Sequence, residues 1–338
     1  QQALDELAEA GGGTLVVDHG RYALGGLRIG SNTCLWLSPG AELIVSENGD
    51  DFTQAVALSQ AECSHRAFLY ALDAQNVSIC GGGEIYGSAD GWFSRDVDAM
   101  GYRQPVKRRP RIILLENCRG VRLENITVRH APMWTIHLVS CIGVTINGIT
   151  VDNDLTMANT DALDIDSCQQ VHIANSYFSA ADDAICLKTT AKPAHIQRPL
   201  RQVTIVNCTL RSKSCALKIG TETWQDIEDV LVSNCTIFDS NRGIGLISRD
   251  GGQLRRMIFS NIAFACVSAP ACHWGEADPV FLSVRHRDPA IAPGAITRIQ
   301  FRGLVGECEG AINLHSEPAG LIQRILFDGI QLHQMLNS

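Results

Sequence analysis

The chain of 338 residues is 45% apolar and only 19% charged, a composition typical of a folded globular protein that excludes disorder as the main state. Its net charge is −8 and its basic residues are scattered except for Lys107-Arg108-Arg109, so nucleic acid is not expected as a partner. No apolar run approaches the roughly 18 residues of a membrane span, and no signal peptide is visible, so we expect no membrane association.

The first ten residues predict a short helix. Leu4, Leu7 and Ala8 fall on one helical face, and the glycines at 11–13 follow it. We expect residues 1–13 to form a capping helix and turn that cover an otherwise open edge of the fold.

A repeated pattern organises the rest of the chain. Apolar and polar residues alternate with period two in segments such as VRLENITV from Val121 and VTINGITV from Val144, which is the pattern of a strand. Each segment contains Asn or Gly, the residue types that tolerate a left-handed turn. The matched turn residues are Asn125, Gly148, Asn175, Asn207, Asn234, Asn261, Gly303 and Gly329.

A second alternating strand precedes each repeated segment, and no helical pattern intervenes. Units of this kind cannot bury their apolar faces alone and must stack on one another. The sequence therefore predicts an all-β protein, a right-handed parallel β-helix whose coils lie about 4.8 Å apart. We expect a single domain over residues 1–338, with stacked coils from about residue 14.

The 13 cysteines favour neither a metal centre nor a disulfide framework, because their number is odd and their spacing lacks paired C-x-x-C motifs. Cys118, Cys141 and Cys168 fall at the same place in consecutive repeats, which predicts a buried ladder of thiols. Neither a metal nor any other cofactor is expected.

Alignment of the second strands gathers carboxylates on one face. Asp161 is placed directly over Asp183 of the next coil, Asp182 adjoins Asp183, and Asp164 lies further along the strand. Like charges at one strand spacing destabilise a sheet, so such a cluster suggests a function. Either metal binding or paired-carboxylate acid–base chemistry would use it, and acids on strands rather than in a loop favour catalysis.

At these residues the chain resembles glycoside hydrolase family 28, the polygalacturonases and their relatives. The resemblance begins in the segment from Ala10 to Ile44, continues through GGGEIYGSADGWF, and centres on Asn159-Thr160-Asp161 followed by Asp182-Asp183. It implies a right-handed parallel β-helix that hydrolyses a carbohydrate substrate with inversion at the anomeric carbon. Asp182 matches the general acid, and Asp161 and Asp183 match the two residues that hold and deprotonate the attacking water.

Two departures from the family mark a divergent member. The family's Gly-His-Gly motif aligns with Ser214-Cys215-Ala216, and its Arg-Ile-Lys motif with Gly245-Leu246-Ile247. Loss of both cations predicts altered sugar specificity and weak or no action on polygalacturonate. Lys218 is the best candidate for a relocated cation, since it shares a column with Gly245. The full set of predicted substrate-binding residues is Asn159, Asp164, Lys188, Lys218, Arg242, His137, Arg249 and Arg285.

Two alternatives stay open from the sequence. A β-helical polysaccharide lyase or epimerase would need a basic residue, for which Lys218 or Arg242 could serve, and usually calcium. A carbohydrate-binding β-helix without catalysis would leave the three aspartates unexplained. The sugar, exo or endo action and the oligomeric state are open. The resemblance implies a secreted or periplasmic protein, whereas the cysteines would suit a reducing cytoplasm.

Overall fold

A computed structural model describes residues 1–52, 55, 57–59, 61–269 and 275–335. The chain winds as a right-handed parallel β-helix, as the sequence predicts, and each complete coil contributes one strand to each of three stacks. The first stack contains Gly13–Val17, Thr33–Leu37, Gln75–Gly81, Arg119–Glu124, Ile142–Asn147, Gln169–Ala174, Leu200–Val206, Ile227–Ser240, Leu254–Cys266, Ile296–Cys308 and Ile322–Asp328.

The second stack borders the first, and the two merge in the long strands near the C-terminus. Its separate strands are Gly20–Leu24, Ala41–Val45, Glu84–Tyr86, Thr127–Arg129, Thr150–Asp152, Tyr177–Ala180, Thr209–Ser212 and Gln331–Gln334. The third stack is a ten-stranded parallel sheet that we call the site sheet. Its strands are Leu27–Arg28, Ala67–Leu72, Arg111–Glu116, Ile136–Val139, Leu163–Asp166, Ile185–Thr189, Cys215–Thr223, Arg242–Ser248, Val280–Val284 and Asn313–Ser316.

The core lies inside the coils and follows the alternation of the sequence. Val121 pairs with Val77 before it and Val144 after it, and all three side chains are buried. Identical inward positions thus stack into continuous apolar ladders, which is how short strands obtain a shared core.

The turn residues adopt the conformation that the repeat requires. Asn125, Asn175, Asn207 and Asn234 have φ of 55–56°, in the left-handed region, and Gly148 has φ of 65°. Successive asparagines also bond to one another, since the Asn207 side-chain amide donates to the Asn175 carbonyl oxygen at 3.2 Å. The predicted positions of the turns are confirmed.

The N-terminal helix spans Gln2–Glu9, and its Leu4 side chain is buried against the first coil. Among the described residues, no helix is long and apolar enough to cross a membrane. Cys118, Cys141 and Cys168 form the buried ladder that their spacing predicts. That the whole chain is one domain stays a prediction, and its last residues, 336–338, lie outside the described ones.

The sequence did not predict the short helices and the hairpin that lie between strands of the coils. The short 3-10 helices Gly49–Asp51, Ala61–Cys63 and Ala89–Trp92 lie between strands, and the last of them leads into an antiparallel hairpin of Phe93–Val97 and Arg103–Pro105. We call residues 93–105 the side hairpin.

Candidate active site

The outer face of the site sheet carries the predicted columns. Leu163 pairs with Ile185, and Ile185 with Leu217, which sets Asp161 beside Asp183 and Asp183 beside Cys215. Cys215 in turn pairs with Arg242, and Lys218 with Gly245. The alignment made from apolar positions is therefore the register of the structure.

Local backbone bonds fix the start of the Asp161 strand. Asn159 has a φ of 56°, and the Thr160 hydroxyl donates to the Met157 carbonyl at 2.8 Å. The Ala162 amide then donates to the Asp183 carbonyl at 2.9 Å, so the two catalytic candidates are tied coil to coil through the main chain.

The three aspartates converge. Each of Asp161, Asp182 and Asp183 has a carboxylate oxygen within 4.8 Å of the other two. Asp161 and Asp183 are buried and Asp182 is half-buried, so Asp182 is the acid that faces the cleft. Within the described chain, Asp161 Oδ1 is buried and accepts no hydrogen bond.

Lys218 pairs with one of the three acids. Its ammonium donates to Asp183 Oδ2 at 2.7 Å, and the Ser214 hydroxyl lies 3.3 Å from Asp183 Oδ1. Although burial opposes a charged lysine, Asp183 raises the pKa of Lys218 well above its usual value. Lys218 is therefore a cation that forms an ion pair with Asp183.

The other two acids retain protons more readily. Burial and the neighbouring Asp183 raise the pKa of Asp182 to about 6. Burial, with Asp164 and Asp182 nearby, raises the pKa of Asp161 well above its usual value. The cluster thus combines an ion-paired carboxylate with a proton-bearing neighbour, the division that general acid–base catalysis needs.

A buried layer lies beside the cluster. Lys188 Nζ is 2.7 Å from Asp164 Oδ1 and 3.7 Å from the centre of the Trp134 ring. The edge of Trp134 meets His137, whose pKa burial lowers to about 3. Asp164 and His137 have no exposed surface and Lys188 is 2% exposed, so in this structure these three predicted substrate-binding residues do not reach the cleft.

The remaining predicted cations occupy different places. Arg242 pairs with Asp278 at 3.1 Å and stacks 3.9 Å from the Phe281 ring centre. Arg249 and Arg285 line a cavity of about 220 Å³ together with Lys218 and Arg242. Among the residues that the structure describes, no acid forms an ion pair with Arg249 or Arg285.

A second cavity, of about 260 Å³, lies on the opposite side of Asp182. Asn159 and Asp182 form one wall, and Met100, Tyr102 and Gln104 of the side hairpin form the other. Sequence reasoning missed these hairpin residues because they belong to no repeat. It also missed Phe281, although alignment from Gly245 to the next strand would have placed it in the Lys218 column.

The cluster is a poor metal site. Three carboxylate oxygens lie close enough to share an ion, but calcium takes about six to eight oxygen ligands. Here the neighbouring ligand position is filled by the Lys218 ammonium, which would repel a cation. The donor set fits proton transfer better than metal binding.

Comparison with known proteins finds relatives described as polygalacturonases. A probable polygalacturonase from Vitis vinifera is 24% identical over 98% of this chain and 70% of its own length. The probable polygalacturonase At1g80170 from Arabidopsis thaliana is 26% identical over 61% of this chain, which matches 46% of the relative's length. The family 28 exopolygalacturonase structure from Yersinia enterocolitica superposes with a TM-score of 0.76 at 18% identity, over 95% of this chain and 66% of that one.

This chain therefore spans about half to two thirds of the length of several proteins that it resembles. The sequence profile of the glycosyl hydrolases family 28 matches residues 50–273, which contain all three clustered aspartates. The profile covers well over half of the chain, and the aspartates that it contains are those that the coils bring together. The chain belongs to glycosyl hydrolases family 28.

Proposed function

We propose that this protein is an inverting glycosidase that hydrolyses a uronic-acid-containing polysaccharide of the pectic type. The observation that carries the proposal is the convergence of Asp161, Asp182 and Asp183, with oxygens within 4.8 Å of one another and a pKa of about 6 at Asp182.

Asp182 supplies the proton. It is the least buried of the three acids, and its raised pKa keeps it protonated in weakly acidic solution. Its proton goes to the glycosidic oxygen as the bond from that oxygen to the anomeric carbon breaks. The departing sugar leaves as a neutral alcohol.

Asp183 and Asp161 hold the nucleophile. The two hydrogen bonds that a water donates diverge by about 105°, so at lengths of about 2.7–3.2 Å they span oxygens roughly 4.3–5.1 Å apart. The oxygens of these carboxyls lie within 4.8 Å of each other, so a single water can bridge them. Asp183, paired with the Lys218 ammonium, takes the water's proton while the water oxygen bonds to the anomeric carbon. Attack by water from the face opposite the leaving group inverts the configuration.

The closest oxygens of the cluster are nearer than the roughly 6.5–9.5 Å that usually separates the acid and base carboxyls of inverting enzymes. Retaining enzymes bring the carboxyls to about 5–5.5 Å, and there one of them attacks directly. Asp161 and Asp183 both adjoin the same space, which favours a shared water over a single attacking carboxylate. The configuration of the first product decides between the two mechanisms.

The positions of Arg249 and Arg285 favour a substrate sugar that carries a carboxylate. The expected preference against polygalacturonate assumed that no cation replaced the missing Arg-Ile-Lys pair, with Lys218 as the best substitute. Lys218 is instead engaged by Asp183, whereas Arg249 and Arg285 line the adjoining cavity without acidic partners in the described chain. Guanidinium groups bind carboxylates through paired hydrogen bonds.

Neither of the two bases considered for the lyase or epimerase alternative favours it. It would need Lys218 or Arg242 in the neutral form, but the pKa of Lys218 is raised by Asp183, and Arg242 pairs with Asp278. A non-catalytic binding protein would also have no reason to keep three acidic side chains together.

The test incubates the protein with polygalacturonate, rhamnogalacturonan and a neutral galactan. We expect new reducing ends from an acidic polymer, no absorbance from an unsaturated uronate, and the inverted anomer as the first product by proton NMR. Asp182→Asn should lose about 10²–10⁴ in turnover, and Arg302→Ala, at an exposed site on another stack, should not. Retention of configuration would refute the inverting mechanism. Cleavage of the neutral polymer alone would refute the proposal that the substrate contains a uronic acid.

A further inference from the structure

The cleft differs on the two sides of the acids. On one side, the cavity with Arg249 and Arg285 adjoins a larger one of about 540 Å³ that continues along the site sheet to Asn313 and His315. On the other side, the cavity of about 260 Å³ ends at the side hairpin. Together, the two adjoining cavities on the first side offer more room for a polymer than the cavity beside the side hairpin.

The cavity beside the side hairpin is small. Its volume lies below the range of about 300–1,000 Å³ found for pockets of drug-sized ligands, which corresponds to one sugar ring. Asp182 lines this cavity, so the sugar in it is bonded directly to the glycosidic oxygen that receives the proton.

The side hairpin is fixed in place. The Arg103 amide donates to the Thr156 carbonyl at 2.6 Å, and the Tyr102 hydroxyl to the Ala181 carbonyl at 3.4 Å, next to Asp182. The Arg103 guanidinium also binds Asp90 at 2.7 Å and the Ser94 carbonyl at 2.6 Å. Tyr102 is only 7% exposed.

These anchors come from both the neighbouring coils and the hairpin itself. A wall held in this way is part of the resting structure rather than a segment that closes on substrate. A polymer therefore cannot pass over the acids in both directions.

Resting on the proposed function, we infer that the side hairpin limits cleavage to the end of the chain, so that the enzyme releases one sugar at a time. Met100, Tyr102 and Gln104 are the specificity-determining residues, because they face the terminal sugar. The polymer leaves the acids along the open side, across Arg249, Arg285 and Phe281.

The experiment follows the products of polygalacturonate and rhamnogalacturonan by chromatography while viscosity and reducing ends are recorded. We expect monosaccharide as the only early product, with little loss of viscosity for each bond cleaved. A mixture of longer oligomers from the start would overturn the inference while leaving the proposed hydrolysis intact. Absence of new reducing ends would refute the proposed function and, with it, this inference.

A shortened hairpin provides the second arm. Replacing residues 97–102 by Asn-Gly removes Met100 and Tyr102, and we expect longer early products and a several-fold greater loss of viscosity per bond. Asp96→Ala changes an exposed hairpin residue outside the cavity and should keep the monosaccharide pattern. If the shortened variant folds, by its circular dichroism, and still releases only monosaccharide, the hairpin is not the determinant; if it does not fold, the product pattern of the unmodified protein decides.

Discussion

Substitution of Lys218 tests how the acids divide their roles. Lys218→Met removes an ammonium that lies 2.7 Å from Asp183 Oδ2, where the lysine and aspartate side chains are 18% and 1% exposed. Breaking a buried ion pair lowers the free energy of unfolding by about 3–5 kcal/mol. Because Lys218 is partly exposed, we expect a loss near the lower limit, about 3 kcal/mol at neutral pH. Lys218→Arg keeps the charge and should lose much less.

The same change should move the pH profile. Lys218 lowers the pKa of Asp182, which burial and Asp183 otherwise raise, so without Lys218 the acid stays protonated to higher pH. We expect the alkaline limb of kcat/KM, near pH 6 in the unmodified protein, to rise by about one pH unit in Lys218→Met. Lys218→Arg should leave it in place.

The assay is reducing-end release from pH 3.5 to 8.5, with urea unfolding at pH 7 for stability. Substrate is held far below KM so that the profile reports groups of the free enzyme. An alkaline limb that stays fixed or falls in Lys218→Met would refute Asp182 as the proton donor beside this cation. Unchanged stability would show that the ion pair contributes nothing to the fold.

Three further predictions concern other parts of the molecule. Because the pKa of Asp182 is raised from 3.8 to about 6, its contribution to stability is complete below about pH 4 and is lost as the pH rises through 6. The shift corresponds to about 3 kcal/mol, so Asp182→Asn should raise Tm by about 4 °C at pH 8 and not at pH 4, and an equal effect at both would contradict this. Arg285→Ala should raise KM for an acidic polymer by roughly 10–100-fold, as for the loss of a charged hydrogen bond, with little change in kcat; a fall in kcat at unchanged KM would place Arg285 in the chemical step instead. Asn234 has a φ of 55°, a conformation that alanine adopts less readily than asparagine or glycine. Asn234→Ala should therefore lower the free energy of unfolding in urea by about 1–2 kcal/mol, and Asn234→Gly by less. Equal losses in the two variants would show that the hydrogen bonds between successive asparagine side chains matter more than the backbone conformation.

The fold and the register could be predicted because the coils repeat one rule. A strand's inward and outward positions follow from period two, so aligning Leu163 with Ile185 also aligned Asp161 with Asp183. The left-handed turns at Asn125 and its equivalents followed in the same way, because Asn and Gly recur at that corner of the coil.

The groups that the lysine side chains contact could not be predicted from the sequence. Lys188 and Lys218 were both predicted to bind substrate, yet Lys188 contacts Asp164 and Trp134, and Lys218 contacts Asp183. Several flexible bonds separate each ammonium from its strand, so the register fixes the position of each Cα but not the position of the ammonium. Burial of His137 depends on Trp134 in the preceding turn, which the repeat does not describe.

The side hairpin was missed for another reason. It interrupts the repeat between two strands of neighbouring coils, and its own strands have only five and three residues. Its position depends on contacts with Thr156 and Ala181, which lie more than 50 residues later in the chain. Such pairing leaves no periodic mark in the sequence.

The distribution of the site over separate coils has an evolutionary consequence. The three acids come from two adjacent coils, whereas Arg249, Arg285 and the side hairpin belong to others. In a solenoid each coil depends chiefly on its nearest neighbours, so an insertion or exchange in an outlying coil is tolerated without disturbing the reacting groups. Descendants of one such chain can therefore acquire new sugars, or a new place of cleavage along the polymer, by altering peripheral coils one at a time while the chemistry is inherited unchanged.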